Sequence, residues 1–139
     1  MPLVRISVFD AMSKERRQAV AAAIYDAMHA KLGIPDGDRF IVLSAHPKDE
    51  FFVDPNFMKM QRTDDFVLVH VTLRRGRSVE IKQSFYAAAT LLLQERAAIA
   101  PDNVMLVLSE NESSDWTFGR GEAQYVLNPP APPLPEEPR

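Results

Sequence analysis

Apolar and polar side chains alternate through Pro2-Leu-Val-Arg-Ile-Ser-Val-Phe9, and this period of two predicts a strand. The period then lengthens. Val20, Ile24, Ala27 and Met28 fall on one helical stripe, Ser13 stands ready to cap it and Glu15 sits in its first turn. Gly33 and Pro35 end that helix. Phe40–Ala45 reads as a second strand, followed by a polar, irregular stretch over 46–65 that holds Pro47 and Pro55. Phe66–Leu73 predicts a third strand. Ser78 caps a second helix that turns Ile81, Phe85, Ala88, Ala89 and Leu92 inward, and Val104–Leu108 predicts a fourth strand.

The pattern repeats. Displaced by 65 residues, the chain aligns with itself without a gap from Leu3/Leu68 to Ser44/Ser109. Ser13 meets Ser78, Glu15 meets Glu80, Gln18 meets Gln83, Ile34 meets Ile99 and Asp38 meets Asn103. Shared hydrophobicity alone does not reproduce polar positions at the helix starts, so the two halves read as a duplicated β-α-β unit. Each unit has parallel strands joined by a right-handed crossover. A two-fold relation between units sets the first and third strands side by side and antiparallel. The expected architecture is α/β (α+β): a four-stranded mixed sheet with two helices on one face. It occupies a single domain over residues 1–127, with repeats at about 2–45 and 67–110. The third strand is apolar on both sides, so the sheet's other face should be covered by another copy of the chain.

The remaining residues, Asn128–Arg139, hold six prolines in twelve positions and predict a polyproline-type or disordered tail. A net charge of −3 gives no sign of a nucleic-acid surface, and the absence of cysteine excludes disulfides and thiolate chemistry. No apolar run is long enough for a bilayer span and no leader pattern opens the chain, so a cytoplasmic location is expected. His29, His46 and His70 lack ligand spacing, and neither a metal nor a cofactor is expected. Met58 and Met60, beside Phe57, suit loop packing or a subunit contact.

Candidate chemistry gathers at one end of the sheet. Removal of Met1 leaves Pro2 with a secondary amine, able to act as acid, base or nucleophile; proline also simply suits a strand start. The antiparallel third strand brings Arg74-Arg75-Gly76-Arg77 to the same end, next to a helix N-terminus. The parallel second strand brings Asp38 there as well. Taken singly, the arginines also read as a solvated turn, Asp38 as a strand-entry residue and Trp116 as core.

Four stretches carry a resemblance: Met1-Pro-Leu-Val-Arg-Ile6, Ile34-Pro-Asp-Gly-Asp-Arg-Phe40, Gly76-Arg-Ser-Val-Glu-Ile-Lys82 and Asp115-Trp-Thr-Phe-Gly-Arg-Gly-Glu-Ala-Gln-Tyr125. With them, residues 1–127 resemble the tautomerase superfamily and, within it, the malonate semialdehyde decarboxylase group. The resemblance implies a cofactor-free homotrimer acting on a small oxo carboxylic acid. Pro2 is then the catalytic amine and Asp38 its acid partner. Arg74 and Arg77 hold the substrate carboxylate, while Trp116, Phe118 and Tyr125 form an apolar wall. In the group the two arginines are separated by one residue, whereas two residues separate Arg74 and Arg77, so Arg75 competes with Arg77. The alternatives implied are keto–enol tautomerisation of a phenylpyruvate-like acid, hydration or cis-3-haloacrylate dehalogenation, and a non-catalytic trimer that binds small acids.

Overall fold

A computed structural model describes residues 1–132 of the 139. Its four strands are β1 (Leu3–Phe9), β2 (Ile41–His46), β3 (Val67–Arg74) and β4 (Val104–Asn111), in the order β2-β1-β3-β4. Helix α1 (Lys14–Leu32) crosses from β1 to β2 and α2 (Val79–Ala97) from β3 to β4. A four-residue helix, α3 (Gln124–Leu127), follows.

The duplication dictates this topology. β1 pairs parallel with β2 in one unit, β3 pairs parallel with β4 in the other, and β1 and β3 join the units antiparallel. The register across that central pair matches Val4 with Val71, Ile6 with Val69 and Val8 with Val67, all fully or almost fully buried. Both helices pack on this face, where Val20, Ile24, Met28, Phe85 and Leu93 complete the core. Burying each such side chain contributes roughly 1.5–3 kcal/mol.

The caps form as the sequence dictates. Ser13 and Ser78 each accept a hydrogen bond from the backbone N–H three residues on. Gly33 takes the left-handed conformation at the end of α1, with φ of 68°. Arginines tie the two helices together reciprocally. Arg16, at the start of α1, donates to the carbonyls of Ala97 and Ala98 at the end of α2. Arg77, just before α2, donates to the carbonyl of Leu32 at the end of α1. Each cation thus meets the negative pole of the opposite helix, which requires the helices to run antiparallel.

Several boundaries move. β4 continues three residues past Leu108 because Thr72, Leu73 and Arg74 extend its ladder to Asn111. Phe40 lies outside β2 and is 51% exposed, although its carbonyl accepts from Val4 N–H at 2.9 Å. On α2 the buried stripe runs through Leu93 and Ala97, leaving Ala88 and Leu92 half-buried beside it. The face of the sheet opposite the helices carries Leu3, Val42, Leu68, Met105 and Val107, which are half-buried or exposed. Among the described residues, no helix is long and apolar enough to cross a membrane.

Candidate active site

The strand directions bring the start of β1, the entry to β2, the end of β3 and the N-terminus of α2 to one edge of the sheet. There the Met1 amine lies 3.7 Å from Asp38 Oδ2, and both side chains are mostly buried. Met1, Asp38, Arg74, Arg77 and Tyr125 line a cavity of about 260 Å³. A second cavity, of about 230 Å³, is lined by Met1, Pro2, Leu3, Phe40, Trp116, Thr117 and Phe118. Met1 therefore stands between a polar chamber and an apolar one, with buried Pro2 directly behind it.

The arginine turn divides its three cations among different tasks. Arg74, the last residue of β3, is half-buried; its guanidinium lies 6.0 Å from the Tyr125 ring centroid. Its Nη2 donates to the carbonyl of Ala131. Arg77 is 8% exposed. Its Nε and Nη2 reach Leu32 O at 3.0 and 2.8 Å, and Nη1 reaches Arg74 O at 3.4 Å. These contacts use three of the five N–H groups of the guanidinium, and Arg77 also lines the chamber. Arg75 turns away: its Nε pairs with Glu112 at 2.8 Å on the exposed surface. The expectation that Arg75 competes for the chamber is thus corrected. The residue leaves the ladder just after β3, where its N–H bonds Asn111 O and its side chain finds Glu112 beyond the end of β4.

The turn is held from below. Gly76 adopts φ of 133°, a conformation that favours glycine, and its backbone N–H helps lower the Glu110 carboxyl. Glu110 also pairs with Lys82 at 2.6 Å, and that hydrogen bond holds its carboxyl below the usual range.

The aromatic wall forms as a stack. Trp116 donates its indole N–H to Asn111 Oδ1 at 2.8 Å and stacks on Phe118 at 5.6 Å. Phe118 meets Tyr125 edge-on at 4.8 Å. Trp116 and Phe118 face the apolar chamber and Tyr125 the polar one. Gln124 fixes the loop by accepting from Phe118 N–H and donating to Gly119 O. Phe40 and the 130–132 segment were not anticipated as lining residues. Phe40 reads as an ordinary strand residue, and the proline segment has no hydrophobic period to reveal where it docks.

Charge and burial compete at the amine. Burial lowers the pKa of the Met1 amine below the ordinary 8.0; nearby Asp38 raises it, and Arg77 and Arg74 lower it further. Burial also raises the Tyr125 hydroxyl, which stays a neutral donor at neutral pH.

At the opposite edge of the sheet the duplication has taken another course. Asn103, the repeat partner of Asp38, is 2% exposed and exchanges hydrogen bonds with Thr63 N–H and Oγ1 at 2.8 and 2.9 Å. The 46–65 loop thus packs against the position that corresponds to Asp38. His29 bonds Ile34 O, His70 bonds Ser109, and His46 packs on Phe51. Among the described residues, no group of three or more His, Cys, Asp or Glu side chains is placed to hold a metal.

Two family models, both described as tautomerase enzyme, match residues 38–119 and 2–60. A curated protein of Bacillus subtilis (strain 168), named probable tautomerase YusQ, is 30% identical over 126 residues, covering 91% of this chain and 99% of that one. The crystal structure of a malonate semialdehyde decarboxylase inhibited by 3-bromopropiolate is 37% identical. It superposes with a TM-score of 0.86 over 96% of this chain and 99% of that one. A fused 4-OT wild-type symmetric trimer shares the fold at 19% identity, with a TM-score of 0.75 over 91% of this chain and 98% of that one. Family models, a full-length relative and a near-complete structural match agree: the chain belongs to the tautomerase superfamily of enzymes, within its malonate semialdehyde decarboxylase-like group.

Proposed function

We propose that this enzyme decarboxylates malonate semialdehyde or a closely similar 3-oxo acid, using the amine of Pro2 once Met1 is removed. The observation that carries the reading is the chamber shared by Met1, Asp38, Arg74 and Arg77. It sets an amine, a carboxylate and two guanidiniums within reach of one small molecule.

In this mechanism Arg74 grips the substrate carboxylate with its guanidinium fork. Arg77 adds its remaining N–H groups and positive charge from the chamber wall. The protonated Pro2 amine donates a hydrogen bond to the C3 carbonyl, and Asp38 keeps that proton in place against burial. The C1–C2 bond then breaks, its electron pair flows toward the polarised carbonyl, and carbon dioxide leaves. Protonation at C2 of the resulting enol gives acetaldehyde. Trp116 and Phe118 give the neighbouring chamber its apolar lining. Met1 lines both chambers, so its removal frees space in each.

A second reading follows from the apolar chamber. Phe40, Trp116 and Phe118 offer more apolar surface than a three-carbon acid needs. With neutral Pro2 as base, the same arrangement suits keto–enol tautomerisation of an arylpyruvate. The trimer named for the 4-OT structure supports the expectation of a homotrimer here. So do the uncovered sheet face and the exposed Phe52 and Met58, at 85% and 74%.

The test is acetaldehyde formation from malonate semialdehyde by the full chain and by Pro2→Ala. The full chain should turn over. Pro2→Ala exchanges the ring-held secondary amine for a mobile primary one and should lower kcat/KM, by up to the roughly 10²–10⁴-fold that a positioned proton donor contributes. Phenylpyruvate ketonisation without decarboxylation would move the assignment to the second reading.

A further inference from the structure

Arg74 meets an unexpected acceptor. The cation read above as the carboxylate grip donates to the backbone carbonyl of Ala131, and Pro130, Ala131 and Pro132 form part of the wall of the same chamber. The segment reaches it from α3, whose end is fixed by Asn128 N–H on Gln124 O at 2.8 Å. Beyond that point residues 129–132 are exposed or half-buried and contribute nothing to the core, which lies between Val4 and Ile99.

The sequence suits this position. Between Pro129 and Pro133, only Ala131 carries an N–H, yet every residue carries a carbonyl oxygen. A proline-rich strand forms no internal hydrogen bonds, so its carbonyls stay free to accept. Proline also limits the freedom lost when the segment is held. Such a chain is almost purely an acceptor, as a carboxylate is, and it carries no charge of its own.

We propose that residues 129–132 form a competing strap that occupies the carboxylate position on Arg74, so a substrate acid must displace it to bind. The strap sets the affinity of the site and selects for acids whose charged contact with Arg74 outweighs a neutral carbonyl. This inference rests on the assignment of Arg74 to the substrate carboxylate.

The test uses 3-hydroxypropanoate, a non-reacting acid of the same length. Binding is followed through the indole N–H resonance of Trp116, the chain's one tryptophan. Four proteins are compared: the full chain, a chain ending at Asn128, the full-length double variant Pro130→Gly with Pro132→Gly, and Arg74→Ala. The shortened chain should bind about three- to tenfold tighter, because the binding-competent fraction rises when the competitor is removed. The glycine variant should shift the same way, and it keeps the test valid if the shortened chain misfolds. Arg74→Ala should weaken binding and abolish the gain from shortening. If both tail variants bind no tighter while Arg74→Ala still weakens binding, the strap is refuted and the carboxylate assignment stands. If Arg74→Ala has no effect, that assignment fails and takes the strap with it.

Discussion

The Met1 amine is pulled in opposite directions by its neighbours. Burial and the two guanidiniums favour its neutral form, and the Asp38 carboxylate favours the charged one. The proton needed to polarise a carbonyl is lost as pH rises through the pKa of the amine that carries it. Once Met1 is removed the Pro2 amine faces the same Asp38, Arg74 and Arg77, so decarboxylation should fall on the alkaline side as that amine loses its proton. Asp38→Asn removes the one raising influence, so the alkaline limb should move toward lower pH. A pH–kcat/KM profile of the two proteins checks this, and a limb that stays put or moves upward would show that Asp38 does not govern the amine. Asp38 was legible in the sequence because a parallel second strand can enter only at the end where the first begins. The apolar partner Phe40, two residues on, was not: its role depends on its leaving the ladder before β2 starts, a matter of one residue in register.

At the level of elements, the arginine turn shows where sequence reading ends. Strand polarity alone delivered Arg74 and Arg77 to the edge that holds Pro2. It did not predict that Arg75 would be drawn off by Glu112, which depends on β4 running three residues beyond its apolar core. Nor did it show that Arg77 would hold the carbonyl end of α1. That second duty has a measurable consequence. Arg77→Ala leaves the Leu32 carbonyl without its charged donor and should cost about 1.5–3 kcal/mol of stability. Arg74→Ala breaks no contact with the core and should leave stability nearly unchanged. Denaturant unfolding of both variants separates the two duties; equal losses would contradict the assignment. The proline segment was read as an appendage because polyproline has no hydrophobic period. Its first residues in fact return to Arg74, while 133–139 lie outside the described residues.

For the whole molecule, the duplication explains most of what was readable. Identical polar positions at the helix starts require two like units, and their antiparallel junction follows from the two-fold relation. The units then diverge at their edges, with Asp38 facing a chamber at one and Asn103 bonded into a loop at the other. The sheet face opposite the helices remains open in a single chain, and Val42, Met105 and Val107 are 46%, 39% and 37% exposed there. Sedimentation equilibrium should give a mass close to three times the 15.7 kDa chain. Replacing Val107 with Asp should drive that mass down, because a charge on a buried interface lacks a partner. A full chain that sediments as a monomer would contradict the trimer.

In the proposed mechanism a free, reachable Pro2 amine performs the chemistry. Intact-protein mass, combined with peptide mapping after treatment with 3-bromopropiolate, tests it most directly. Met1 should be lost and a single covalent adduct should form on Pro2, blocked by prior addition of 3-hydroxypropanoate. A chain that keeps Met1, or an adduct that forms elsewhere while Pro2 stays unmodified, would contradict it.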